Sequence, residues 1–243
     1  MNKKELYSKI EQLSGNNFSK FRNKINSFLS EGRTEIEVYN IITRYIAIEP
    51  YCRTLDFENG DYIDFVKSIK KGTFLKAKFN EEYKIAIMNK TMAYEDDCIC
   101  IFKPTCFEES NVVGEPSFCF SYSQGRWDEH YKGYNEAIYF VYDVMRELTP
   151  QMFVAITVRP LGTALVLDCE HQWFSRSESA RFIQGLGNGM NVIKTKYNKP
   201  LQLESIKVNN TKNKIRLTEG ELHKLIKESV KILLREGNLQ GVY

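Results

Sequence analysis

Four residues carry the side-chain types of nucleophilic chemistry: Cys119, His130, Asp168 and His171. A thiol attacks as thiolate, so it needs a nearby base, and that base needs a third group to orient it. Asp168-Cys169-Glu170-His171 follows an apolar run, at a predicted strand end, where such groups are displayed. Strand ends are also polar for plain solvation, and Cys119 lies within Phe-Cys-Phe, the setting of a buried thiol. Cys119, His171 and Asp168 are therefore the catalytic candidates, set against a reading without catalysis.

Other chemistries are less well served. Cys98-Ile99-Cys100 places two thiols on one face of a strand, with Cys106 nearby. No second Cys-x-x-Cys and no neighbouring His accompany them, so the reading is core packing, with no metal and no cofactor. The adjacent acids Glu95-Asp96-Asp97, Glu108-Glu109 and Asp128-Glu129 do not supply two carboxyls across a cleft, as glycoside hydrolysis requires. Asp96-Asp97 reads as a turn. Phe118, Phe120, Tyr122, Trp127, Tyr131 and Tyr134 form an aromatic set with only Arg126 and Lys132 beside it. That is too little positive charge for a single-strand groove, so core and rim is the expected use. Gly185-Leu186-Gly187-Asn188-Gly189 follows a predicted helix rather than a strand, the wrong context for a phosphate loop.

These residues need elements to hold them. The first fifty residues read as helical. Leu6, Ile10 and Leu13 form one stripe, Phe18, Phe21, Ile25, Phe28 and Leu29 a second, and Ile36, Tyr39, Ile42 and Ile46 a third behind the capping box Thr34–Glu37. Asp61 caps a short helix over Tyr62, Phe65, Val66 and Ile69, closed by Gly72. Then the period changes. Strands are predicted at Thr73–Phe79, Tyr83–Met88, Cys98–Phe102, Ser117–Tyr122, Ala137–Tyr142, Met152–Val158 and Ala164–Asp168, with a turn at Arg159–Gly162. Ser175–Glu178 caps a helix ending at Gly185. Helices grouped ahead of closely spaced strands imply an α+β fold with a mostly antiparallel sheet.

The 243 residues carry a net +3. Residues 194–243 hold eleven Lys or Arg against five Asp or Glu, a net of +6, so residues 1–193 carry −3. A mildly acidic body thus bears a basic tail. Nucleic acid is not expected on the body and is open for the tail. No apolar run is long enough to span a membrane, and Met1–Glu11 has no apolar signal core. The organisation read here is a helical region at 1–50, an α+β body at 51–193, an edge strand (Leu201–Val208) and polar linker within 194–214, and a helix module at 215–243.

That last module has the sharpest local pattern. Thr218 and Glu221 make a capping box, and Leu217 and Leu222 a hydrophobic staple. Leu222, Leu225, Ile226, Val230, Leu233 and Leu234 form one amphipathic face, with Lys224, Lys227, Lys231 and Arg235 around it. Leu222, Leu225, Ile226, Val230 and Leu233 are the partner-binding candidates, with Lys227 and Lys231 orienting an acidic partner. The stretch Lys214–Glu236 resembles a terminal segment of tailed phages of gut bacteria, including crAss-like phages, of the form I-x-L-T-E-x-x-L-x-x-I-I-x-E-S-V-x-x-I-L. It matches at Ile215, Leu217, Thr218, Glu219, Leu222, Ile226, Glu228, Ser229, Val230 and Leu233 and departs at Leu225. A second resemblance, to phage proteins, runs through Pro104-Thr105, Glu109-Ser110, Gly114, Cys119 and Ser121, then Trp127, Tyr131 and Tyr139-Phe140-Val141, with Phe118 where that pattern has Trp. The resemblance implies a non-enzymatic virion-associated or structural phage protein, located in the virion, its partner a capsid, scaffold or portal protein. Outside that setting the expected location is cytoplasmic. The alternatives are a cysteine/histidine-dependent enzyme and an early host-directed binding protein.

Overall fold

A computed structural model describes residues 1–114, 118–146 and 152–202, all within one compact unit spanning residues 1–204. The helix module at 215–243, with Leu222, Leu225, Ile226, Lys227, Val230, Lys231 and Leu233, lies outside the described residues, as does most of the 194–214 segment. The fold is α+β, with a helical N-terminal region and a five-stranded antiparallel sheet.

Helices α1 (Lys3–Ser14), α2 (Phe18–Ser30) and α3 (Glu35–Ile48) build a first core with the start of α4 (Tyr62–Lys78). The caps read from sequence are formed: Thr34 and Asp61 each accept the amide three residues on, and Glu37 and Asp64 reach back. The buried faces are rotated from those expected at two helices. Leu13 is 53% exposed and Ile36 58% exposed. In α3 the buried row is Val38, Ile41, Ile42, Tyr45 and Ile48. That helix is apolar on most sides, so two stripes fit its sequence, and packing against α1, α2 and α4 selects one.

Three expected strands are helical. Thr73–Phe79 continues α4, because Phe65, Ile69, Gly72, Leu75 and Phe79 extend one helical stripe across the apparent alternation. Gly72 does not end the helix. It lets the α3 end and the Cys52 segment approach, since a Cβ there would lie 3.0 Å from Cys52 Sγ and 3.1 Å from Ile48 Cδ1. Tyr83–Met88 belongs to α5 (Glu82–Thr91), where Ala86, Met88 and Lys84 favour helix over the alternating Tyr83, Ile85 and Ile87. In the Ser117–Tyr122 stretch, Phe118 is extended and α7 (Cys119–Tyr122) is a single turn that returns Phe120 to the same core.

The sheet is a meander in sequence order: β1 (Met92–Glu95), β2 (Ile99–Phe102), β3 (Ala137–Asp143), β4 (Phe153–Val158) and β5 (Ala164–Asp168). Alternation places Cys100, Phe102, Ile138, Phe140, Tyr142 and Ala155 on one face. That face packs against the end of α4, α5, α6 (Phe107–Gly114), α7 and α8 (Gln124–Asp128). Ile101, Tyr139, Val141, Val154, Ile156 and Val166 face the other way, against α9 (Arg176–Gln184) and the 3₁₀ turn Gly187–Val192. Both sides are covered, which is why β2, β3 and β4 are apolar throughout. The glycine-rich stretch serves this packing: a Cβ on Gly189 would lie 2.9 Å from Ile101 Cδ1. The outer edge of β5 is closed by the Ser179 hydroxyl, which accepts the Val166 amide at 3.0 Å, and by a bridge from Leu167 to Trp173. Leu201 and Gln202, the described start of the expected edge strand, are not in a strand, although the Gln202 amide donates to the Gly162 carbonyl.

Candidate functional site

Ala137 of β3 pairs with Val158 of β4, so Glu136 and Arg159 flank the same end of the sheet. Glu136 is 2% exposed. Its carboxylate receives Arg159 Nε at 3.3 Å and stands 2.7 Å from His130 Nδ1. In neutral His130 this places the proton on Nδ1 and the lone pair on Nε2. His130 belongs to a π-helical turn, Glu129–Gly133, that follows α8, and its carbonyl accepts the Glu136 amide at 3.0 Å. Phe120 and Tyr134 meet its ring edge-on, with centroids 5.3 and 5.7 Å away. Beside it, Glu129 accepts from Arg126 Nη1 and from the Tyr134 hydroxyl, at 2.8 and 2.9 Å. The Arg126 bond, then the Tyr134 bond, hold the Glu129 carboxyl below its ordinary range.

Cys119 stands at the start of α7, half-buried. Burial pushes its thiol up, and the partial pull of the Phe120 amide and of Arg126 does not reverse this. A protonated thiol at neutral pH is a poor nucleophile. No hydrogen bond joins Cys119 to His130, His171 or Asp168 among the described residues.

Asp168 and His171 sit elsewhere. Asp168 pairs with Val154, four residues along β4 from Val158, about 13 Å from the Glu136 end of the sheet. Its Oδ1 accepts the amides of Glu170 and Gln172 at 3.0 and 2.9 Å, and its own amide donates to the Gln172 carbonyl at 3.1 Å. His171 is exposed in the same turn, at φ +64°, and its amide donates to the Asp168 carbonyl. The Asp168 carboxylate is thus occupied in shaping a tight turn. The structure brings His130 to Glu136 and Asp168 to His171, and leaves the two pairs at opposite ends of the sheet.

The partners of His130 carried little sequence signal. Glu136 and Arg159 border the two strongest strand patterns, but only the register of β3 on β4 makes them neighbours. A second polar cluster carries as little sequence signal, because the packing of α4 and residues 53–54 on the β1–β2 turn assembles it. Lys71 of α4 is fully buried, donates to Thr54 Oγ1 at 2.8 Å and to the Asp96 carbonyl, and lies 3.2 Å from Glu95 Oε1. Arg53 completes it, reaching Glu95 Oε2 and Asn89 Oδ1 at 2.8 Å each. Asp96 turns the chain between β1 and β2, as expected, by accepting the amides of Cys98 and Ile99. The nearby Cys100 thiol is pushed up to about 12 by burial. Lys71 and Arg53 both pair with Glu95, so the cluster fastens α4 to the β1–β2 turn.

The aromatic set divides. Phe118, Phe120 and Trp127 are buried, Tyr122 and Tyr134 are exposed, and Lys196 covers the Tyr131 ring at 3.9 Å. Arg126 pairs with Glu129 and Lys132 with Asp128. Among the described residues no group of three or more His, Cys, Asp or Glu is placed to hold a metal ion, and no helix is long and apolar enough to cross a membrane. Compared with protein-family models, curated proteins and solved structures, the chain matches none.

Proposed function

We propose that this chain is a non-enzymatic binding protein that docks through residues 215–243, and that it is a virion-associated or structural protein of a tailed phage. A capsid, scaffold or portal protein is its partner under this reading. The observation that carries it is the capped, one-sided apolar pattern at Leu222, Leu225, Ile226, Val230 and Leu233, with Lys227 and Lys231 beside it. Burying these five side chains together with Leu234 is worth roughly 9–18 kcal/mol before entropy, enough to drive docking. The body supports the reading in a second way. Asp168 is taken up by turn amides, His130 is hydrogen-bonded to the buried Glu136, His171 is exposed in the turn, and burial pushes the Cys119 thiol up.

The test compares full-length protein with a chain ending at residue 214, each expressed in the infected host in place of the native copy. Mass spectrometry of purified particles should find the full-length chain and not the shortened one, while the shortened chain keeps a cooperative thermal transition. Equal incorporation of the two would refute docking through this segment.

A further inference from the structure

Helices α3 and α4 leave an open groove between them. One section, about 130 Å³, is lined by Asn40 and Ile41 of α3 and by Tyr62 and Val66 of α4. A larger section, about 570 Å³, runs past Ala47, Ile48 and Thr73 to Tyr142 of β3. Arg44, Ile69 and Lys70 line both, so the two are continuous.

The lining follows helical geometry. On α4 it falls at Tyr62, Val66, Ile69 and Thr73, positions i, i+4, i+7 and i+11 of one stripe. Eleven residues of helix span about 16 Å, three turns. Asn40, Arg44 and Ala47 supply the facing wall at i, i+4 and i+7. The floor is apolar, formed by the buried Ile41, Ile48 and Ile69. At its end the Tyr142 ring is held rigid against Phe74, stacked at 3.7 Å and 10°.

Charge narrows the occupant. Both charged residues lining the groove, Arg44 and Lys70, are cationic, and no Asp or Glu lines either section among the described residues. Lys76 adds a third positive charge at the Ala47 end, where its Nζ donates to the Ala47 carbonyl at 2.9 Å. Arg44 is exposed and makes no ion pair among the described residues. A straight channel three turns long, with an apolar floor and a cationic rim, matches an amphipathic helix whose flanks are acidic.

We infer that the α3–α4 groove is a docking site for an acidic amphipathic helix of a partner protein. It uses no residue of 215–243, so it stands or falls separately from docking through that segment. The probe is a labelled helical peptide of about 15 residues, with Leu at every third or fourth position and Glu elsewhere, titrated into full-length protein and read by fluorescence anisotropy. Saturable binding is expected, weakened about tenfold or more by Arg44→Glu and by Ala47→Trp. Both substitutions are at exposed positions and should leave the thermal midpoint near that of the parent. Four results would each overturn the proposal. The two variants could bind like the parent. A matching Leu–Lys peptide could bind as tightly. A single-stranded oligonucleotide could displace the peptide, making the groove a polyanion site. Sedimentation could show a dimer that Arg44→Glu dissolves, making the occupant a second copy.

Discussion

Cys119 and Asp168 hold side chains with chemical potential in surroundings that direct it elsewhere. The Cys119 thiol loses its ionised form to burial, while the Asp168 carboxylate is taken up by two turn amides. The sign of the first effect gives a prediction. A raised thiol pKa lowers the thiolate fraction at neutral pH, and alkylation proceeds through thiolate. Iodoacetamide should therefore modify Cys119 several-fold more slowly at pH 7 than an unstructured cysteine peptide. The rate should rise with pH beyond the point where the peptide's has levelled. Peptide mapping by mass spectrometry reads both, and a fast reaction at pH 7 would restore the enzyme reading for this thiol. His130 differs: its buried partner Glu136 fixes the ring, and neither Glu136 nor Arg159 could be chosen from sequence, because the π-helical turn brings His130 back to Glu136 and strand register brings Arg159 to it.

Sequence legibility at the next scale followed the strength of local chemistry. The helix caps at Thr34, Asp61 and Ser175 were readable because each is closed within four residues, although the return bond of the Asp64 carboxylate to the Asp61 amide was not. Ala137–Tyr142, Met152–Val158 and Ala164–Asp168 were readable because β-branched and aromatic residues dominate them. Thr73–Phe79 was not, since helical and alternating templates both fit it and only the tertiary contacts at Gly72 and Leu75 select helix. The latch between β3 and the segment after the 3₁₀ turn was also invisible, spanning 55 residues. There the Tyr139 hydroxyl donates to the Lys194 carbonyl at 2.9 Å and accepts the Lys194 amide at 3.0 Å. Tyr139→Phe keeps the ring and leaves both backbone groups unpaired, at a cost of about 1–3 kcal/mol. Urea unfolding should show a lower midpoint at unchanged slope; an unchanged midpoint would mean the latch contributes nothing.

At the scale of the whole molecule, α4 belongs to two cores at once. Phe65 and Ile69 pack among the N-terminal helices, and Leu75 packs under the sheet. Lys71, between them, ties the same helix to the β1–β2 turn. Neither core can melt without releasing residues of the other, so the described unit should unfold in one step. A Trp173→Phe variant leaves Trp127, buried in the core under the sheet, as the fluorescent reporter. Its transition should coincide with loss of far-ultraviolet helix signal. Early loss of helix signal would show that the N-terminal helices melt alone.

The meander carries a consequence for biosynthesis. Each strand takes as its mate the one made just before it, so every hairpin can close as soon as its second arm leaves the ribosome. The longest wait falls between β2 and β3, where residues 103–136, with α6, α7 and α8, are made first. Translation order and assembly order are the same list, which shortens the interval in which sticky apolar ribbons face the crowded cell.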